Sequence, residues 1–345
     1  MFRKNQGNTQ AKQWNHRGCF MAVYTEVNDE DLIAFAAEYD IGEVVACKGI
    51  AEGIENSNFL LTTETGPYIL TLYEKRVKRK DLPFFLGLME HLSSSSVPCP
   101  TPLRGRDGKN LRSLSGRPAA IVSFLEGMWA RRVTPRHCDL LGEAMARLHL
   151  AGADFRRIRA NDFSVGAWRA LLKASAGRAD EIQPGLAREL AAELQELESG
   201  WPREHGQNSP PRGIIHADLF PDNVFFRSNR LSGFIDFYFA CTDFFAYDLA
   251  ICLNAWCFED ERSFNITKAR HMLSAYRKVR DLSAAELAAL PIFARGAALR
   301  FLLTRLYDWL NKPAAALVTP KNPLEYLEKL RFHRGVRDPG AYGLD

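Results

Sequence analysis

The sequence predicts an α+β chain of two lobes, a small N-terminal lobe built on an antiparallel sheet and a larger, mostly helical C-terminal lobe. Three observations predict it. Between residues 42 and 125, short β-branched and aromatic runs alternate with glycine- and proline-marked turns, as in a meandering sheet. Beyond residue 127, apolar residues recur at helical spacing, as in Leu140, Leu141, Ala144, Met145 and Leu148. The length, 345 residues, suits two lobes or domains. The expected divisions are an N-terminal extension over 1–20, an N-lobe over 21–126 and a C-lobe over 127–345.

Composition narrows the function classes. A hydrophobic fraction of 46% and a charged fraction of 25% are ordinary for a globular chain. The net charge of +4 comes entirely from Arg3, Lys4, Lys12 and Arg17, which have no acid among them within residues 1–20. The rest of the chain is neutral, which excludes a basic body made for nucleic acid. Residues 1–20 are polar and lack the apolar stretch of a secretory signal. They read as a disordered extension ahead of a second start at Met21. The seven cysteines are scattered and form no C-x-x-C pair, which weighs against a disulfide framework and a zinc site and fits a reducing cytoplasm. No apolar run approaches the length needed to span a membrane. The expected partner is a small molecule rather than nucleic acid or membrane, with monomer or homodimer left open.

Taken in order, residues 28–39 read as a helix, with Leu32, Ile33, Phe35, Ala36 and Tyr39 on one face behind an Asn28 or Asp29 cap. Residues 42–46, a loop over 48–58 carrying Gly49 and Gly53, and residues 59–63 read as strand, glycine loop and strand. Backbone amides of such a loop can cover phosphates; a plain hairpin turn is the alternative. Thr65-Gly66-Pro67 turns the chain into a third strand over 68–73. A basic run, Lys75-Arg76-Val77-Lys78-Arg79-Lys80, leads to a helix over 82–92, where Glu90 either pairs with the basic strand or makes a surface ion pair. A Ser/Pro-rich connector over 93–102 precedes an edge strand over 117–125, ended by Glu126-Gly127. A strand crossing between lobes can lend its backbone to adenine, here at Phe124 and Leu125.

C-lobe helices are expected over 138–150, 161–172, 182–197, 249–258 and 292–310. His149 reads as a core or helix-terminus histidine rather than a ligand. On the last of these helices Arg300, Arg305, Asp308 and Trp309 are candidates to reach a site, with an Arg305–Asp308 pair along the helix as the alternative. The final residues read as a loose tail.

The most informative stretch is 214–236. Ile214 and Ile215 form a short apolar strand, and His216 to Asn223 a polar loop. Val224-Phe225-Phe226 and Leu231 to Ile235 are the arms of a hairpin turned at 227–230. An antiparallel hairpin brings Asn223, ahead of its first arm, beside Asp236, behind its second. A carboxylate and an amide oxygen side by side suit Mg²⁺, a hard cation with oxygen ligands. Asp218 lies in the loop, free to meet a hydroxyl. Four residues separate Asp218 from Asn223, the spacing of the kinase catalytic loop, in which the Asp accepts a hydroxyl proton and the Asn holds a metal ion. A polar loop without chemistry is the plain alternative; three spaced residues and a matching hairpin weigh against it. Asp248 follows Asp236 too closely for a long activation segment, and Ala217 stands where protein kinases keep an arginine, so a regulated protein kinase is excluded. A kinase also keeps a lysine on its third strand for the phosphates. Thr71 stands there. Lys75, on the same face by alternation, is either its substitute or a solvated strand end.

The run His216-Ala217-Asp218-Leu219-Phe220-Pro221-Asp222-Asn223, with Ile235-Asp236-Phe237 and Tyr247-Asp248-Leu249-Ala250, resembles the aminoglycoside-phosphotransferase/choline-kinase superfamily, small-molecule kinases with a protein-kinase-like fold. Longer runs, Gly49 to Asn58, Tyr68 to Arg76, Ile235 to Cys241 and Asn254 to Phe258, resemble the bacterial homoserine kinases of that superfamily. The resemblance covers residues 21–335. It implies transfer of the γ-phosphate of ATP to the hydroxyl of L-homoserine, on the route to threonine, with ATP and Mg²⁺ as cofactors. It also implies Asp218 as the base, His216 as a brace of the loop, and Asn223 and Asp236 as metal ligands. Gly49, Gly53 and the Asn56 region would lie over the phosphates, and Phe124 and Leu125 would offer backbone to adenine. Thr71 fits the homoserine-kinase run but departs from the general kinase lysine, which leaves the phosphate cation unassigned.

Homoserine carries a carboxylate, an ammonium and the reacting hydroxyl, so its pocket needs a cation, an acid and Asp218 together. The candidates are Arg305 for the carboxylate, Asp243 or Asp308 for the ammonium, and Tyr238 and Trp256 as walls. Two rivals stand beside this reading. One is another kinase of the superfamily, acting on an amino alcohol such as choline, on methylthioribose or on an aminoglycoside; the neutral body weighs against polycationic substrates. The other is a pseudokinase that binds nucleotide without turnover, against which Asp218, Asn223 and Asp236 are all intact.

Overall fold

A computed structural model describes residues 25–50, 56–74, 77–260, 262–312 and 320–344. The extension over 1–20, Gly53 and Lys75 lie outside the described residues. Helix α1 (Asp29–Ala36) opens on Asn28, whose side chain accepts from the Asp31 amide, as an N-cap should. An antiparallel sheet follows, made of β1 (Val44–Gly49), β2 (Asn56–Thr63), β3 (Gly66–Tyr73), β4 (Arg112–Leu114) and β5 (Arg117–Ser123) in the spatial order β1-β2-β3-β5-β4. Helix α2 (Leu82–Ser94) lies between β3 and β4 in the chain. β1 and β2 reach further into the glycine loop than the sequence predicts. Gly49 still pairs with Phe59, and the Ile50 amide donates to the Asn58 carbonyl.

Strand alternation sorts the side chains between two faces. Phe59, Leu61, Leu70, Leu72 and Ile121 pack with Leu32, Phe35 and Tyr39 into a small core under α1. On the opposite face Tyr73, Ala120 and Val122 join the main core, which runs without a break through α2 into the helical part. Past β5 the chain turns at Gly127, whose φ of +139° favours glycine, into β6 (Met128–Trp129).

The rest of the chain carries α3 (Pro135–Ala151), α4 (Val165–Ala179), α5 (Leu186–Gly200), β7 (Arg212–Ile215), β8 (Val224–Arg227), β9 (Arg230–Phe234), β10 (Cys241–Phe244) and α6 (Phe245–Trp256). Then come β11 (Phe258–Glu259), β12 (Ser263–Phe264), α7 (Ile266–Arg277), α8 (Ala284–Leu310) and α9 (Leu324–Gly335). α3 and α7 touch so closely that a Cβ at Gly142 would lie 2.1 Å from the Met272 carbonyl oxygen, so only glycine fits there.

Several elements differ from the sequence reading. α8 begins ahead of Pro291 rather than after it, because Ser283 and Glu286 form a capping box and the whole length packs against α4, α5, α6 and α9. That helix is also long and apolar enough, by length and composition, to cross a membrane, which the sequence reading did not expect; most of it is buried inside the protein. Helices α7 and α9 were not expected. Each carries a buried stripe one turn apart, Ala269, Met272, Leu273 and Tyr276 on one and Tyr326, Leu327 and Leu330 on the other. The tail is packed rather than loose: Tyr342 is buried, and its hydroxyl lies 2.9 Å from His333 Nδ1.

Candidate active site

The site is built where β7 gives way to the β8–β9 hairpin. β7 pairs with β10, Ile215 opposite Cys241, so the loop after Ile215 starts from a buried ribbon. The hairpin pairs Val224 with Phe234 and turns at Ser228 and Asn229, both with positive φ, as a two-residue turn matched to strand twist requires. Beyond the last pair, the Ile235 amide donates to the Asn223 carbonyl at 3.0 Å. Asn223 and Asp236 therefore meet at the open end of the hairpin. Asp236 takes a left-handed conformation, φ 63° and ψ 62°, and its charge reaches the buried hydroxyls of Tyr73 and Tyr238 on the side of the sheet.

His216 ties the loop to the hairpin. Its Nε2 lies 3.0 Å from the Ile235 carbonyl. A carbonyl only accepts, so Nε2 carries the proton. Burial holds the His216 pKa below its ordinary value, which keeps the ring neutral. Asn223 closes the loop from the other end: its Nδ2 donates to the Asp218 carbonyl at 2.8 Å and to Asp218 Oδ2 at 3.2 Å.

Between them stands Ala217, with φ 63°, a left-handed conformation that costs a non-glycine residue about 1–2 kcal/mol. Two buried charged groups hold it. Asp248, at the start of α6, accepts from the His216 amide at 3.0 Å and from the Ala217 amide at 2.8 Å. Arg300, from the middle of α8, donates through Nη1 to the Ala217 carbonyl at 2.7 Å. His149 Nε2 also lies 3.1 Å from Asp248, while its Nδ1 meets the Tyr276 hydroxyl at 2.8 Å. Burial by itself would raise the pKa of Asp248, but the bonds from His149 and the loop amides hold it below the ordinary carboxylate value.

Asp218 is thereby presented from a rigid loop. Burial pushes its pKa up to about 6; the nearby Arg300 opposes the rise and Asp222 adds to it. A carboxylate so tuned is a competent proton acceptor near neutral pH. The kcat/KM for the phosphoryl acceptor is therefore expected to rise with pH through about 6 and level off above it, because the protonated acid cannot take the hydroxyl proton. A pH–rate profile checks this; a profile flat between pH 5 and 7 would contradict it.

The other expected residues fall into two groups. Gly49 ends β1, beside the loop that would cover phosphates. Thr71 donates to Asn58 Oδ1 at 2.8 Å, and Asn56 Oδ1 accepts from the Glu74 amide at 3.3 Å, so both tie β2 to the β3 side of the sheet. Phe124 and Leu125 follow β5, with Phe124 40% exposed. Tyr238 stands against Tyr73, its hydroxyl donating across 3.3 Å.

The structure gives the others partners of their own. Asp243 pairs opposite Gly213, at the end of β7 remote from Asp218. It is buried with its carboxylate on the Asn161 amide at 2.8 Å and the Phe244 amide at 2.8 Å. Arg305 pairs with Glu325 and lies 4.3 Å over the Tyr326 ring, so its charge is already engaged. Asp308 is partly buried on α8, three residues further on. Trp256 is buried and donates from Nε1 to the Leu219 carbonyl at 2.7 Å, supporting the loop from beneath rather than forming a wall. Glu90 makes the surface ion pair, with Arg104 at 2.8 Å. His149 is the core histidine expected. The loop contacts of Asp248 and Arg300 could not be read in advance, although Asp248 stands in the run Tyr247-Asp248-Leu249-Ala250 and Arg300 is among the α8 candidates.

Among the described residues no cluster of three or more His, Cys, Asp and Glu side chains could hold a metal. Asn223 and Asp236 fit a different arrangement. The Asn223 nitrogen is engaged by Asp218, which turns its Oδ1 the other way. That oxygen and the Asp236 carboxylate are a two-oxygen donor set, which suits a hard cation completed by phosphates and water.

The sequence pattern of the phosphotransferase enzyme family matches residues 46–282. A homoserine kinase of Rhodospirillum rubrum is 65% identical, over 94% of this chain and 99% of that protein. One of Paramagnetospirillum magneticum is 63% identical, over 94% and 100%. Among solved structures, an amicoumacin kinase in complex with AMP-PNP and Ca²⁺ superposes with a TM-score of 0.66 at 18% identity, covering 89% of this chain and 92% of that one. A spectinomycin phosphotransferase superposes with a TM-score of 0.65 at 13% identity, covering 92% and 98%. At these identities the two structures speak to the fold.

Proposed function

The chain belongs to the phosphotransferase enzyme family and, within it, to the homoserine kinases, and from that premise we propose that it transfers the γ-phosphoryl group of ATP to the side-chain hydroxyl of L-homoserine. The product is O-phospho-L-homoserine, on the route to threonine. The observation that carries the reading is Asp218, poised near pH 6 in a braced loop beside Asn223 and Asp236.

Asp218 takes the hydroxyl proton as the substrate oxygen attacks the γ-phosphorus, and the bond to the β–γ bridging oxygen breaks to release ADP. Asn223 Oδ1 and the Asp236 carboxylate would hold Mg²⁺, which offsets phosphate charge when bound. Gly49 and the loop beyond it would cover the phosphates, and the backbone at Phe124 and Leu125 would meet adenine. Thr71 brings a hydroxyl, not a cation, to its strand. His216 keeps the base and the metal-binding residues in register through the Ile235 carbonyl.

The test is ADP release from Mg-ATP with L-homoserine, choline, methylthioribose and kanamycin in turn. Turnover on homoserine alone is expected. Preference for another acceptor would reassign the substrate, and ATP binding without any turnover would make the chain a pseudokinase.

A further inference from the structure

The pocket reading requires a cation for the substrate carboxylate, and the residue expected to supply it, Arg305, is bound to Glu325. Among the described residues two further cations near the loop are paired: Lys321 lies 3.6 Å from Asp222, and Lys329 pairs with Glu325. Arg300 is different. It is 3% exposed and donates from Nη1 to the Ala217 carbonyl, yet its Nε is buried without a hydrogen-bond partner. Among the described residues no carboxylate pairs with it. Its guanidinium lies among aromatic rings, 4.1 Å from the centroid of Phe301, 5.2 Å from Phe163 and 5.6 Å from Phe239. The Tyr326 hydroxyl is likewise buried without a partner, and the charges of both Asp218 and Arg300 reach it.

A buried guanidinium without a counter-ion is costly, and its forked donors match a carboxylate. The residue it already holds is the one before the base. In homoserine the carboxylate lies roughly 5 Å from the hydroxyl by standard bond lengths, and Arg300 is held at the carbonyl of the residue next to Asp218. We propose that Arg300 receives the α-carboxylate of an amino-acid substrate, with the Tyr326 hydroxyl as a second donor, and so selects a hydroxy amino acid over a simple amino alcohol. The inference rests on the proposed homoserine reading and deepens it. Bound carboxylate supplies an acceptor for the Arg300 donor that is left unfilled.

The test compares L-homoserine with 3-aminopropan-1-ol, the same skeleton without the carboxylate, as a substrate or, where it is not turned over, as a competitive inhibitor. Arg300→Met also removes the Ala217 tether, so kcat is expected to fall for any acceptor; the homoserine KM is expected to rise about a hundredfold while the affinity for 3-aminopropan-1-ol stays within about threefold. Arg300→Lys, which keeps the charge but not the fork, should recover part of the loss. Tyr326→Phe leaves the Ala217 tether intact and should raise the homoserine KM about tenfold without moving 3-aminopropan-1-ol. An equal loss for both ligands would mean that Arg300 only tethers Ala217, and an unchanged preference in both the Arg300 and Tyr326 variants would equally overturn the proposal. If Arg300→Met fails to fold, Tyr326→Phe decides. Wild-type enzyme inert on homoserine would overturn the parent reading and this one with it; an active wild type with the wrong variant pattern would overturn this one alone.

Discussion

Asp218→Asn is expected to lower kcat by about a thousandfold to ten-thousandfold, the usual scale for loss of a general base. The shape of the side chain is preserved, and its remaining oxygen can still accept from Asn223 Nδ2, so the loop should keep its form. The backbone bond from Asn223 to the Asp218 carbonyl is untouched. ATP affinity should therefore stay within about threefold, since no bond to the nucleotide is assigned to Asp218. Steady-state turnover with a parallel measurement of ATP binding checks both halves. A variant retaining a tenth or more of wild-type kcat would remove Asp218 from the role of base.

Asp248→Ala should damage both stability and turnover. It strands the amides of His216 and Ala217 and the Nε2 of His149 in a fully buried place. Removing one member of a buried charged network costs about 3–5 kcal/mol. The loss also frees Ala217 from the contact that opposes its left-handed strain, so Asp218 should lose its fixed position. Urea unfolding should show the lower stability, and kcat should fall by about a hundredfold or more for a misplaced base. An unchanged unfolding midpoint would show that Asp248 is not an anchor. The same carboxylate has a pH signature. Its folded-state pKa lies below the ordinary value, so its contribution is fully present above the unfolded pKa of about 4 and is lost as pH falls through the folded value.

The grouping of Asp218, Asn223 and Asp236 was legible because it is local. Asp218 and Asn223 share one loop, and a hairpin with a short turn brings Asp236 beside Asn223. Spacing and turn chemistry were enough to place these groups together, and the Asn28 cap of α1 was readable on the same grounds. The substrate assignments were not legible. Asp243 had the right chemistry and lay close in sequence to Asp236, but strand pairing with β7 carries it to the wrong end of the ribbon. Arg300 and Arg305 lie on the same helix, and sequence cannot say which of them faces the loop; Glu325, on a helix the sequence reading missed, is what engages Arg305. Pro291 concealed the start of α8, although the Ser283–Glu286 capping box was there to be read.

The sequence by itself determined the two-lobed α+β class, the order of most elements, the grouping of Asp218, Asn223 and Asp236, and the family. Each of these depends on residues within a few turns or strands of one another, where backbone geometry is set by local spacing. Only the tertiary structure decided what holds the loop in its strained form. Asp248 and Arg300 reach Ala217 from helices α6 and α8, His149 reaches Asp248 from α3, and Trp256 lies under Leu219. These pairings join buried polar groups far apart in the chain. They arise because each such group must find a partner once water is excluded, and which partner it finds depends on how the helices pack.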